Sequence, residues 1–122
     1  MKIRIKGNSV RFRLTKTEVE TFSKTGSIAE ITHFQSKALT YALVSKSGIT
    51  ELEADFVDNS ITIYFPKSEQ KGWAASNQVG FSNSVDWNDS STLSLLVEKD
   101  FTCLDNTVED QSDNYPNPKL SQ

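Results

Sequence analysis

The chain has 122 residues, 36% of them hydrophobic and 24% charged, with a net charge of −3. A chain of this length folds as one domain and hides roughly 65% of the surface exposed when unfolded, so its core needs no disulfide or metal. No apolar run approaches the ~20 residues of a membrane span, the charged N-terminus does not read as a signal peptide, and the single cysteine excludes an internal disulfide. A reducing, cytoplasmic setting is therefore expected.

Charge is unevenly spread. Residues 1–24 carry seven Lys/Arg against Glu18 and Glu20, a local +5 that leaves −8 for the rest. In this region Ile3, Ile5, Val10, Phe12 and Leu14 share one face, and Lys2, Arg4, Lys6, Arg11 and Arg13 share the other. Period-two alternation predicts half-buried strands. Gly7-Asn8 between them suits a two-residue hairpin turn with glycine supplying positive φ. That register sets Arg4 opposite Arg11 and Lys2 opposite Arg13.

Thr15-Lys16-Thr17-Glu18 has the form of a capping box. Val19 and Phe22 follow at helical spacing, and Gly26 suits the left-handed position after the last turn. Strands are expected at about 28–34 and 39–45.

The second half echoes the first. At an offset of 51, Asn8-Ser9-Val10 lands on Asn59-Ser60-Ile61, Phe12 on Ile63, Leu14 on Phe65, Glu18 on Glu69 and Phe22 on Trp73. At an offset of 53, Val44-Ser45-Lys46 lands on Val97-Glu98-Lys99. Pro66 takes the place of Thr15, which a helix start tolerates because the missing N–H would be unpaired there. The last two strands are expected at about 79–86 and 92–98. The predicted fold is α+β and mostly antiparallel β. It consists of two pseudo-symmetric ββαββ repeats (2–46 and 53–99), about eight strands and two short helices, closed as a sandwich or a barrel within one domain, 1–104. Residues 105–122 are polar and acidic, with Tyr115 as the one large anchor, and read as a mobile tail.

The stretches K-I-R-I-K-G-N-S-V-R-F-R-L-T-K-T-E-V, L-V-E-K-D-F-T-C-L and E-D-Q-S-D-N-Y-P-N-P resemble a family of short bacterial proteins known only as a domain of unknown function. The resemblance spans the whole chain and implies that the acidic tail is native to the protein. It carries no activity or catalytic residue to transfer.

The most informative feature is the basic hairpin face formed by Lys2, Arg4, Lys6, Arg11 and Arg13. Like charges directly across a sheet repel, so water, an acidic segment in cis or an anionic partner must compensate; solvated charges of this kind also blunt an edge strand against aggregation. At matched positions of the second hairpin Glu53 replaces Lys2, Asp55 replaces Arg4, Thr62 replaces Arg11 and Tyr64 replaces Arg13. This sign reversal points to a non-enzymatic interaction module whose basic face receives an acidic segment, its own or a partner's, or mediates self-association. A sequence pI near 5.1 and the lack of a stacking aromatic on that outer face argue against nucleic acid. The alternative is a small-molecule or enzyme pocket between the repeats near His33, Trp87 and Cys103. Cys103 in Phe101-Thr102-Cys103-Leu104 reads more simply as a buried thiol, and His33 as a strand histidine. No phosphate loop, dinucleotide fingerprint or nucleophile elbow is present, and no Cys/His spacing suggests a metal or cofactor.

Overall fold

A computed structural model describes residues 1–87, 91–101 and 112–116. Along the chain run β1 (Lys2–Lys6), β2 (Ser9–Leu14), α1 (Lys16–Thr25), β3 (Ser27–His33), β4 (Ala38–Lys46), β5 (Glu53–Val57), β6 (Ser60–Pro66), α2 (Lys67–Trp73), β7 (Gly80–Trp87) and β8 (Ser91–Lys99). This is ββαββ written twice. The first hairpin has the expected register, with Arg4 opposite Arg11 and Lys2 opposite Arg13. The two tight turns reach it differently. Gly7 takes positive φ, whereas Asp58 and Asn59 both do so in the second hairpin, the type I′ pattern that Asp and Asn tolerate.

Helix α1 starts on the full capping box: Thr15 accepts from the Glu18 N–H, and Glu18 accepts from the Thr15 N–H at 2.8 Å. It stops at Gly26, whose φ is 86°. Pro66 begins α2 with no side-chain cap. Gln70 of α2 compensates by donating to the Phe22 and Ser23 carbonyls at the end of α1, at 3.2 and 2.9 Å. Phe22 and Trp73 meet edge to face, 6.4 Å between centroids. The two helices together close one end of the molecule.

The strands form two four-stranded sheets, β1-β2-β8-β7 and β3-β4-β6-β5, stacked as a sandwich, which removes the barrel alternative. Contacts such as Phe12–Tyr41 and Phe65–Phe81, at 5.8 and 4.7 Å, join the two inner faces. Each sheet takes one hairpin from each half. The hairpins are antiparallel, but their junctions, β2 with β8 and β4 with β6, are parallel. The core comprises Phe12, Leu14, Val97 and Leu95 from one sheet, Leu43, Ile63 and Phe65 from the other, and Val19, Phe22 and Trp73 from the helices.

The junctions repeat the same bonds. Ser94 N–H donates to Asn8 O at 3.0 Å and Thr40 N–H to Asn59 O at 3.1 Å; Ser45 N–H donates to Gly26 O at 2.8 Å and Lys99 N–H to Val79 O at 2.9 Å. Phe12 pairs with Val97 and Ile63 with Leu43, so Leu43 is the counterpart of Val97. The offset for β4 and β8 is therefore 54, not the 53 suggested by Val-x-Lys identity. A one-residue slip in a strand exchanges its faces, and the 54 offset, unlike 53, keeps the fully buried Leu43 and Val97 equivalent.

Of the expected tail, 105–111 and 117–122 lie outside the described residues. Residues 112–116 sit against the domain. Tyr115 N–H donates to Asp100 O at 2.8 Å, its ring lies 5.6 Å from that of Phe101, and Asp113 accepts from the Thr17 hydroxyl at 2.8 Å. Hydrogen bonds from the Thr15 and Thr17 hydroxyls hold the Asp113 carboxyl below its ordinary value.

A Cβ on Gly80 would lie 2.6 Å from Val97 O and 2.9 Å from Glu98 Cβ, whereas one on Gly72 meets nothing within 4 Å. Gly80→Ala is expected to lower unfolding stability by about 1–3 kcal/mol, and Gly72→Ala in α2 to raise it by up to about 1 kcal/mol. Urea denaturation of the two variants checks both signs.

Candidate functional site

The outer face of the first sheet is built by alternation. With Phe12 and Leu14 facing inward, Arg11 and Arg13 must point out, and the antiparallel partner brings Lys2 and Arg4 beside them. The parallel junction then places Glu98 beside Arg13. Arg13 Nε donates to Glu98 Oε1 at 2.7 Å, and Arg11 Nη1 lies 3.6 Å from the same oxygen. Lys2 Nζ lies 3.1 Å from Asp100 Oδ2. The acids that offset the Arg–Arg and Lys–Arg cross-strand pairs thus come from β8 and its following residue, in the other half of the chain.

The opposite sheet holds the mirror arrangement in charge. Lys46 Nζ donates to Glu53 Oε1 at 3.0 Å. Glu53 is the counterpart of Lys2, and Lys46, by the offset of 54, is the counterpart of Asp100. One ion pair therefore occurs twice with its signs exchanged. Lys46 also lies over the Tyr64 ring, 4.9 Å from its centroid.

Among the described residues these pairings set two acids, Glu98 and Asp100, beside the five cations of the basic hairpin. Among the described residues Arg4 and Lys6 have no ion-pair partner. They border a groove of about 380 Å³ with Ser9, Arg11 and Ser94. Arg11 Nε is buried beneath this face, and among the described residues it has no hydrogen-bond partner. A second depression of about 350 Å³ lies beside it, bordered by Lys2, Arg4, Arg11 and Arg13. All five basic residues expected from the sequence therefore border one continuous positive face. Their partners Glu98 and Asp100, and the neighbouring Ser94, cannot be read from the hairpin alone, because the β2–β8 pairing brings them there.

Of the three residues expected at an inter-repeat pocket, His33 and Trp87 are among the described residues, and they do not line the same cavity. His33 is exposed at the end of β3, on the outer side of the second sheet with Ala29 and Ile31. Cys103 lies outside the described residues. Trp87 does line a cavity, an apolar cleft of about 550 Å³ between the sheets at the end away from the helices. Among the described residues no group of three or more His, Cys, Asp or Glu side chains gathers as metal ligands would, and no helix is long and apolar enough to cross a membrane. Lys99 is buried, donates to Ser76 O at 2.7 Å and lies over the Tyr115 ring; burial pushes its ammonium below the ordinary lysine value.

These features define an eight-stranded α+β sandwich with interleaved halves and one basic outer face. The chain belongs to a family of unknown function, DUF7009, whose model matches residues 1–119. No curated protein and no solved structure matches it.

The two sign-exchanged ion pairs differ in burial: Asp100 is 4% exposed, whereas the Lys46 and Glu53 side chains are each about half exposed. Lys2→Met, which leaves a buried carboxylate short of a cation, is expected to destabilise by about 1–2 kcal/mol. Lys46→Met is expected to cost less than about 1 kcal/mol. Denaturation midpoints at low and high salt check the order.

Proposed function

We propose that the protein is a non-enzymatic interaction module whose basic face receives an acidic polypeptide segment. The observation that carries this reading is the groove bordered by Arg4, Lys6, Arg11 and Ser94, where Arg4 and Lys6 have no ion-pair partner among the described residues. A carboxylate is the acceptor such a donor set fits, because a guanidinium pairs with it in charge-assisted bonds. The charge surplus raises the encounter rate and fixes orientation more than it adds affinity. The Ser94 hydroxyl adds a neutral donor, while the Ser9 hydroxyl already donates to Lys6 O at 2.6 Å and offers only its lone pairs. The matched pairing offsets of the halves support descent of both ββαββ units from one ancestor, and the single cysteine supports a reducing, cytosolic location.

Titration of the full chain with a short oligoglutamate, followed by heteronuclear NMR, tests the reading. Saturable shifts are expected at Arg4, Lys6, Arg11 and Ser94, weakening as salt rises. Arg4→Glu with Lys6→Glu is expected to weaken binding by about tenfold or more. A peptide of residues 105–122 used as a second titrant separates a self-derived segment from a foreign one. No saturable shift, or tighter binding of a single-stranded oligonucleotide, would overturn the proposal.

A further inference from the structure

The two ends of the sandwich are unlike. Helices α1 and α2 pack together over one end and bury Phe22 and Trp73 there. The other end is bordered by turns, Gly7-Asn8 and Asp58-Asn59 among them, and the sheets stand open as the cleft of about 550 Å³. Its walls are built in counterpart pairs: Ile5 with Phe56, Val10 with Ile61, and Leu39 with Leu93. Both halves thus contribute to one concavity, the second more than the first through Ala54, Ile63 and Trp87. Three residues at its mouth are large, apolar and well exposed: Ile5 at 57%, Phe56 at 67% and Trp87 at 45%. Leaving such side chains in water forgoes about 25 cal/mol for each Å² of apolar area.

From this geometry we infer that the open end of the sandwich is a binding site for a neutral, largely apolar small molecule, distinct from the basic face. The volume falls within the roughly 300–1,000 Å³ of small-molecule sites. Shape selects against a folded partner. Stacked sheets lie about 10 Å apart, backbone to backbone, and a helix with its side chains is about 10–12 Å across, so only a thin aliphatic or planar aromatic molecule enters between them. Charge selects against an anion. Among the described lining residues there is no Lys, Arg or His, and the one ionisable residue is an acid, Asp55, so a ligand carboxylate or phosphate would find no counterion. Trp87 and Phe56 offer flat apolar surfaces for the end of the ligand that stays near water.

The test uses the full chain and N-phenyl-1-naphthylamine, a neutral probe that brightens in apolar surroundings. A saturable rise with one probe per chain is expected. Ile5→Ser and Phe56→Ser, both at exposed positions, are expected to weaken binding about tenfold or more between them. Phe34→Ser, 63% exposed but outside the cleft, is expected to leave it unchanged, as is Arg4→Glu with Lys6→Glu. Urea midpoints confirm that each variant is folded. The inference is overturned by a linear, unsaturable signal, by a loss with Phe34→Ser equal to that with Phe56→Ser, or by a sedimentation mass of two chains that Phe56→Ser returns to one. The last result would assign the cleft to a second copy of the chain. Because the charge-reversed variant serves as a control, failure here leaves the reading of the basic face standing, and the reverse.

Discussion

Two parallel strand junctions hold this molecule together. Each sheet is a pair of hairpins, and neither hairpin of a sheet comes from the same half of the chain as the other. Phe12 against Val97 and Leu43 against Ile63 are the central residues of these junctions, and all four are fully buried. An isolated two-stranded hairpin is marginal in water. The first becomes a sheet only when β8 arrives, and the third only when β4 does. The helices reinforce the same interlock: Gln70 of one half satisfies the terminal carbonyls of α1 in the other.

The charges follow from that exchange. A hairpin with Arg opposite Arg and Lys opposite Arg is unfavourable alone. It becomes tolerable when the other half brings Glu98 and Asp100 to its flank. The acidic counterpart hairpin receives Lys46 in the same way. Charge reversal between the halves is thus first a device for matching one half to the other. The cations beyond those pairings, Arg4 and Lys6 at the β1 edge, are what the proposed partner reads. The edge position gives them a further use, since exposed cations discourage unwanted strand pairing.

Local features were legible in the sequence because their causes are local. The Thr15–Glu18 capping box, the Gly26 stop, the hairpin turns and the inward alternation from Ile3 to Leu14 each depend on a few neighbouring residues. The ββαββ order written twice was legible for the same reason. Strand order was not, because antiparallel hairpins say nothing about which other strand lies on their open side. The offset error at β4 and β8 shows the limit clearly. Matching Val44 to Val97 by identity hid the equivalence of Lys46 with Asp100, and with it the sign-exchanged ion pair. Inward-facing Leu43 and Val97 carry the correct phase, and aligning by burial rather than by letter recovers it. The sequence points to Trp87 as a pocket residue but does not separate His33 from it, because strand alternation does not say which face is inward on an edge strand with polar and apolar residues on both.

Interleaving of the halves is tested most directly by native-state amide hydrogen exchange across a series of low denaturant concentrations. The account predicts that Phe12 and Leu43 from the first half, and Ile63 and Val97 from the second, exchange through one common opening at the global unfolding free energy, with the edge strands β1, β3, β5 and β7 opening at lower free energies. Protection that persists through residues 2–46 after residues 53–99 have exchanged, or the reverse, would mean that each half folds by itself and would contradict it.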